Sequence, residues 1–315
     1  MCGIAGVIYR NPTDYQHLGS DLFSLIHPLE SRGPDSSGIA LYGRDVNPAQ
    51  LKMLLQGNGQ WSNLTQWLSQ YAQSCISEPL AEGQRIVLDL ADGVVFDLRA
   101  FKRQLRQHFP DIHFMSIGQK LEIYKGINGV EALMFQDGLS SFAGSHGIAH
   151  TRMATESVVD LDHCHPFTAS YDLSVVHNGQ ISNYHRLRFQ LERSGIVFET
   201  DNDSEAIAHY IHYQLLQSKS LEDALEKFLD DVDGTYTFLA ATPDKVGLVR
   251  DKFAAKPAVI YETDHMVAIA SEYRALMALD RFDRDASIRE PDAGEINVWS
   301  VSANQRELQL STSRG

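Results

Sequence analysis

The chain begins MCGIAGVIYR, with a cysteine directly behind the initiator methionine and then a short apolar, β-prone run. Chain ends fray unless a strand ties them down, and Ile4, Val7, Ile8 and Tyr9 are the residues able to do so here. The fold must therefore give this first strand partners in a sheet. The stretch is no secretory signal, because it lacks a basic start, a long enough apolar segment and a cleavage site. Cys2 is thus expected to remain in the protein and to be held in place.

Composition narrows the field. A chain of 315 residues with ordinary apolar content can bury a real core, as one large domain or as a domain with an inserted lobe. No stretch approaches the roughly 20 continuous apolar residues of a membrane span. The net charge of −14 gives no general attraction to nucleic-acid phosphates or anionic lipid. Three widely spaced cysteines, Cys2, Cys75 and Cys164, do not make a disulfide framework, and the expected location is the cytoplasm.

Apolar residues Leu18, Leu22, Leu25 and Ile26 recur at helical spacing and stop near Pro28, so residues 14–27 read as an amphipathic helix. Residues 44–142 differ in character. AQLKMLLQ and NLTQWLSQY read as helical, RIVLDLADGVVFDL as strand-like, AFKRQLRQHF as a basic amphipathic segment and LEIYKG as a strand. This alternation suits a small inserted α/β lobe. Beyond it, HGIAHTR and LSVVHNG read as strands, and NYHRLRFQLERSG and DSEAIAHYIHYQLL as helices. SLEDALEKFLDDV is a third helix, opened by a capping pattern at Ser220 and Asp223. TYTFLAAT with VGLVRD, and PAVIYET with MVAIASE, form two antiparallel pairs. Strands, helices and then strands in blocks predict an α+β fold.

The chemistry starts at Cys2. Once Met1 is removed, as expected before a small residue, Cys2 owns a free α-amine whose reference pKa of about 7.7–8.0 lets it act as a base near neutrality. Only a thiolate attacks, and the amine can take the thiol's proton directly or through a water. A terminal position is then a chemical requirement. Taken alone, Cys2 reads more readily as a small buried residue of an edge strand.

Further segments bear on that choice. MCGIAGVIYR, ESRGPDSSGIALYG, GIAHTRMATES, HCHPF, VVHNGQISNY and FETDNDSEAIAHY occur in an order that resembles the class II glutamine amidotransferases, N-terminal nucleophile hydrolases that begin with cysteine. SEYRAL and PDAGEINVW extend the likeness toward residue 299. The resemblance implies a four-layer αββα sandwich over residues 2–315, with the 44–142 lobe inserted in it. It also implies roles. Cys2 would be the nucleophile on the side-chain amide of glutamine. Asn178 and the N–H of Gly179 would form the oxyanion hole. Arg152 would fork onto the substrate α-carboxylate, Thr155 would add a hydroxyl to that grip, and Asp203 would hold the α-ammonium. Arg32 and Gly33 would line the wall beside the thiol.

Each residue also has a plain structural reading. Arg152 could be a surface ion-pair residue, Asp203 an N-cap, and Asn178-Gly179 a tight turn. Glu156 departs from the family, several of whose members place a histidine after the motif that HTRMAT matches. A carboxylate so near the substrate-carboxylate grip bears on which substrate is preferred. In HCHPF two histidines flank a cysteine, but the other ligands of a zinc site fall at no recognisable spacing, and no metal is expected. His165-Pro166-Phe167 matches the family's His-Pro segment. His146, His150 and His177 read as core or loop histidines.

Family members couple amide cleavage to an acceptor site. After residue 280 too little chain remains for the usual fused acceptor domains, which places the acceptor on another polypeptide. RGPDSSGIALYG, RIVLDL, LEIYKG, HTRMATES and ETDNDSEAIAHY resemble the stand-alone amidotransferase subunit of glutamate-synthase-type complexes, including the N-methylglutamate synthase group. That resemblance implies glutamine or γ-glutamylmethylamide as substrate, a flavin-containing synthase subunit and a glutamate synthase C-terminal-like subunit as partners. It implies no cofactor in this chain, with FMN, and as a further expectation an iron–sulfur cluster, on those partners. Competing readings are an independent N-terminal cysteine amidase and a catalytically silent assembly subunit.

Overall fold

Every residue of Gly3–Tyr9 is buried, which a strand achieves only in the middle of a sheet covered on both faces. The computed structural model describes residues 2–90, 96–153, 158–217 and 219–301, and it places this strand, β1 (Gly3–Tyr9), between two antiparallel neighbours. The chain then runs through α1 (Leu18–Ile26), β2 (Ser36–Tyr42), β3 (Gln50–Gly57), α2 (Trp61–Leu68), β4 (Ala72–Leu80) and β5 (Gly83–Leu90). Next come α3 (Leu98–His108), β6 (Ile112–Gly118), β7 (Leu121–Gly126), α4 (Val130–Phe135), β8 (His146–Arg152) and β9 (Ser174–Ile181). Three helices follow, α5 (Tyr184–Arg193), α6 (Asp203–Leu215) and α7 (Leu221–Asp231). The chain closes with β10 (Gly234–Ala241), β11 (Lys245–Arg250), β12 (Val259–Glu262), β13 (Met266–Ala270), α8 (Tyr273–Leu276), β14 (Ser287–Arg289) and β15 (Ile296–Ser300).

Antiparallel pairing gathers these strands into a seven-stranded sheet ordered β14-β12-β13-β1-β8-β2-β7 and a four-stranded sheet ordered β15-β11-β10-β9. Helix α1 covers β1 and β8, while α6 covers β9 and α7 covers β11. Side-chain alternation explains the layering. Val176, Leu239, Ala241, Val246 and Leu248 point into the core shared with β1, whereas Val175, Phe238, Ala240 and Val249 point into the core under α5–α7. The period of two is the strand's own. The result is the expected α+β fold with αββα layers. Among the described residues no helix is long and apolar enough to cross a membrane.

Polar bolts join the two sheets. The Tyr42 hydroxyl on β2 donates to Ala241 O at 2.7 Å and lies 2.8 Å from Ser174 Oγ, so a fully buried phenol finds its partners on the facing sheet. Burial pushes its pKa well up, so it stays a donor. His146 stacks on it with ring centroids 4.1 Å apart.

Two sequence expectations are corrected. AQLKMLLQ is not a helix: Gln50–Gly57 is a strand paired on both sides, with β5 and β6. Met53 and Leu55 face the core of the small sheet, and Leu54 faces the main core. Two-sided burial masks the period of two, and tertiary pairing overrides the helical propensity of a Leu-rich run. Residues 14–27 are likewise not one helix, because Pro12–His17 is a 3-10 segment and α1 starts only at Leu18.

Strands β3–β6 form a third sheet, ordered β4-β5-β3-β6, whose own core includes Met53, Leu55, Ile86, Leu88, Phe101 and Leu105. β7, which follows directly, pairs with β2 in the seven-stranded sheet. One buried ionic cluster ties the small sheet to the large one. Lys52 Nζ donates to Glu122 Oε1 at 3.0 Å and to the carbonyls of Gly43, Arg44 and Lys120. Arg85 donates to Glu122 Oε2 at 2.9 Å, and the Tyr124 hydroxyl does so at 2.6 Å. Burial opposes ionisation of Glu122, but the two cations and these hydrogen bonds outweigh it and hold the carboxyl below its usual range. Removing one partner of a buried pair leaves the other charge uncompensated. Glu122→Ala is therefore expected to cost about 3 kcal/mol of stability in urea unfolding; a loss under about 1 kcal/mol would show that the cluster does not hold the lobe.

Candidate active site

β1 delivers Cys2 to the sheet end where β8 finishes. Gly3 lies opposite Thr151 and Ser36 opposite Arg152, so Cys2, Arg152 and the loop before β2 share one edge of the seven-stranded sheet. Cys2 is half-buried, with Sγ 4.0 Å from Met153 O. Its carbonyl accepts twice, from Asn178 Nδ2 at 3.1 Å and from Arg32 Nε at 3.1 Å. Arg32 in turn pairs with Glu272, which also receives Arg274. Burial works against ionised Glu272, but the hydrogen bonds and charges of the two guanidiniums hold its pKa down. The next peptide is held as well, because Ile4 N donates to Ser271 Oγ at 2.9 Å. Gly33 is needed for close approach: a Cβ there would lie 2.6 Å from Thr151 O and 2.7 Å from Arg152 N. Glycine thus lets the loop press onto the end of β8.

Asn178 and Gly179 lie within β9, not in a tight turn. Ser182 N donates to Asp233 O, and the register pairs Asn178 with Thr237, so even-numbered residues of β9 bond to β10. Odd-numbered residues turn their backbone groups to the open edge, and side chains meet them there. His177 N donates to His165 Nδ1 at 3.3 Å, His177 O accepts from His150 Nε2 at 2.9 Å, and Ile181 N donates to Asp203 Oδ2 at 3.1 Å. By the same parity the Gly179 N–H faces that edge, and among the described residues no acceptor meets it. Gly179 has φ +140°, and a Cβ there would lie 2.1 Å from Thr235 O. The Asn178 amide thus sits against the residue that carries the thiol, and the Gly179 N–H belongs to the peptide that follows it.

Asp203 is the first residue of α6, and the N-cap is Asn202, whose side chain accepts from Ser204 N at 2.9 Å. The Asp203 carboxylate also lies 3.5 Å from His177 Nδ1 and accepts from Ser204 Oγ at 3.4 Å. Burial alone would raise its pKa, but His177, the Ile181 N–H and Ser204 outweigh this and hold the carboxyl below its usual range. Arg152 is no surface residue: it is 5% exposed and donates from Nη1 to Val158 O at 3.1 Å. Thr155 and Glu156 lie outside the described residues. The structure thus brings Cys2, Arg32, Gly33, Arg152, Asn178, Gly179 and Asp203 into one neighbourhood.

The residues of HCHPF have other duties. His163 bonds Asp160 at 2.7 Å and Asp201 at 3.3 Å, and Cys164 Sγ donates to Asp160 O. Among the described residues no group of three or more His, Cys, Asp or Glu is arranged to hold a metal. Sequence reasoning missed Ser204, Ser271 and Glu272 as parts of the site. SEYRAL holds the last two, but their partners Ile4 and Arg32 lie some 240 or more residues away in the chain, a pairing that no local pattern reveals.

Comparison with known proteins bears on this geometry. The sequence profile of a glutamine amidotransferase domain matches residues 150–278. The glutamine amidotransferase-like protein GlxB of Rhizobium meliloti is 37% identical over 300 residues, covering 95% of this chain and 98% of its own. The chain belongs to the class II glutamine amidotransferases. A glutamine–fructose-6-phosphate aminotransferase of Thermococcus kodakarensis is 30% identical over 216 residues, covering 63% of the amidotransferase described here but only 35% of its own length. A solved structure described as the allosteric regulatory enzyme of purine biosynthesis superposes with a TM-score of 0.60 at 21% identity, over 95% of this chain and 47% of that one, and shares the fold.

Two outcomes follow for the amidotransferase. Gly179→Ala must both abandon a φ near +140° and clear the Thr235 carbonyl, so a stability loss of about 2 kcal/mol or more is expected by chemical unfolding; an unchanged midpoint would contradict the φ and the contact. Because the folded pKa of Asp203 is depressed, its contribution to stability is present above the unfolded value of about 3.9 and is lost as pH falls through the lower folded value. The stability gap between the wild type and Asp203→Asn should then be flat from about pH 5 to 8 and shrink below about pH 4; a gap that grows on acidification would refute it.

Proposed function

We propose that the amidotransferase cleaves the γ-amide of glutamine, or of a γ-N-alkylglutamine such as γ-glutamylmethylamide, through a thioester on Cys2. The observation that carries this reading is the double grip on the Cys2 carbonyl beside the open Gly179 N–H. After loss of Met1, the α-amine of Cys2 takes the thiol proton and Sγ bonds to the amide carbon. The oxygen becomes an oxyanion held by Gly179 N–H and by the second hydrogen of Asn178 Nδ2, the first being given to Cys2 O. The C–N bond then breaks, the leaving amine takes the proton back from the α-ammonium, and the thioester remains. Water, deprotonated by the freed α-amine, attacks the thioester and releases glutamate. Arg152 with Thr155 would grip the substrate α-carboxylate, and Asp203, kept ionised, would hold its α-ammonium. Arg32 and Gly33 would set the wall beside the thiol.

The released ammonia or methylamine would pass to a separate subunit. In this reading the acceptor lies on another polypeptide. We assign that acceptor to a flavin-containing glutamate synthase or N-methylglutamate synthase subunit, with a glutamate synthase C-terminal-like subunit beside it. There the amine would condense with 2-oxoglutarate, and reduced FMN would give hydride to the imine. An iron–sulfur cluster on the partners is a further expectation of the same reading, and there it would relay electrons to the FMN from an external reductant. In this reading the insertion expected at residues 44–142 of a domain of residues 2–315 has its own body in the β3–β6 sheet, while β7 and the residues after it pack with the main sheet, and the partner docks on the lobe.

Asn178→Ala is expected to lower kcat for glutamine hydrolysis about 10²- to 10³-fold with KM little changed, since the lost donor acts chiefly on the oxyanion. A kcat within threefold of wild type would remove Asn178 from the mechanism. Steady-state release of ammonia from glutamine against methylamine from γ-glutamylmethylamide decides the substrate. The higher kcat/KM names it, and comparable turnover of neither would refute the proposal.

A further inference from the structure

Two imidazoles meet the open edge of β9, and a third, His177, rises from the strand itself. His150, His165 and His177 are 1%, 5% and 3% exposed, and the rings of His150 and His165 stack with centroids 3.8 Å apart. Their partners fix where the protons sit. A backbone N–H can only donate, so the His177 N–H requires a lone pair on His165 Nδ1. Desolvation, and then the neighbouring His150 and His177, drive the pKa of His165 well down, so the ring is neutral and its proton is on Nε2. That nitrogen lies 3.3 Å from Ser204 Oγ. A backbone carbonyl can only accept, so His150 carries its proton on the Nε2 that faces His177 O. Burial pushes the pKa of His150 down to about 3.

Ser204 Oγ, receiving from His165, is left to donate onward. Its proton can go to His177 Nδ1 at 2.9 Å or to Asp203 Oδ1 at 3.4 Å. With the Ser204 proton on Asp203, one directional chain runs from the β9 backbone through His165 and Ser204 to the carboxylate, and His177 Nδ1, 3.5 Å from Asp203 Oδ1, faces the same carboxylate. Among the described residues, His150 Nδ1 and His177 Nε2 are left buried without partners. Each such orphan is costly, so an apolar filling would pack this volume with less penalty, except that the His177 N–H would then be orphaned.

We propose that His165 is a positioning residue of the amidotransferase: its two ring nitrogens tie the β9 backbone bearing Asn178 and Gly179 to Ser204 and Asp203, holding the oxyanion donors and the ammonium-binding carboxylate in one register. The proposal rests on the roles given above to Cys2, Asn178, Gly179 and Asp203. It assigns separate tasks to the two nitrogens. Nδ1 sets the peptide that leads into the oxyanion donors, and Nε2 sets the carboxylate.

Substitutions that keep one nitrogen's function at a time can separate them. His165→Asn retains an acceptor near the Nδ1 position, and His165→Gln retains a donor near Nε2. The full-length protein is treated with 6-diazo-5-oxonorleucine, a diazo-ketone analogue of glutamine, and saturation kinetics of Cys2 labelling give kinact and KI separately. His165→Gln is expected to lower kinact about tenfold or more with KI within about threefold. His165→Asn and Ser204→Ala are expected to raise KI about tenfold with kinact within about threefold. Equal effects of Asn and Gln on both constants, or wild-type constants in both, would overturn the proposal while leaving the Cys2 reading intact. Failure of the wild type to label would sink the Cys2 reading itself. Imidazole ¹⁵N shifts of the wild type provide a test that needs no variant: His165 should be the Nε2–H tautomer, and an Nδ1–H signal would overturn the proposal.

Discussion

The carbonyl of Cys2 accepts from Asn178 on one side and from Arg32 on the other, and the site is built outward from that double grip. A chain terminus is the least constrained part of a polypeptide, yet an N-terminal nucleophile must hold its sulfur and its α-amine to within a fraction of an ångström. β1 does the coarse work by lying between β13 and β8. The fine work falls to side chains from three other places in the chain. Asn178 comes from the facing sheet, Arg32 from the loop before β2, and Ser271 from the end of β13. Arg32 holds its fork because Glu272 takes its far end.

Strand parity then decides what the opposite wall can offer. Every second residue of β9 turns its backbone outward, and imidazoles and a carboxylate satisfy these groups at His177 and Ile181. Gly179, between them, keeps its N–H open. Gly179 is half-buried, and an N–H held open there is the kind of donor that the proposed oxyanion site requires. The α+β layering is therefore more than a container. It sets the edge of one sheet against the strand ends of the other, so that the Asn178 amide reaches the carbonyl of Cys2.

Much of this was legible in the sequence, for physical reasons that differ by element. β1, β8 and β9 read correctly because short β-branched runs bounded by glycine have few alternatives, and α7 read correctly because Ser220 and Asp223 form a reciprocal capping box. The segment Gln50–Gly57 misled because burial on both faces erases alternation. The site residues came from motif order, which carries no geometry. That order could not reveal that Arg32 grips the carbonyl of Cys2 instead of only lining a wall, nor that Glu272 and Ser271 complete the grip, since those contacts join segments far apart in the chain. The histidines read as core residues, and they are buried. Their hydrogen-bond directions emerged only once β8, β9 and the loop before β9 were in place.

The central claim is that a trimmed terminus at Cys2 is itself acylated during turnover. Acid-quenched protein, taken during glutamine hydrolysis and mapped by peptide mass spectrometry, tests it directly. The account predicts an N-terminal peptide that starts at Cys2 and carries a glutamyl group on its sulfur, and none when quenching follows exhaustion of glutamine. A terminus that retains Met1, or a glutamyl group found on another residue while Cys2 stays free, would contradict it.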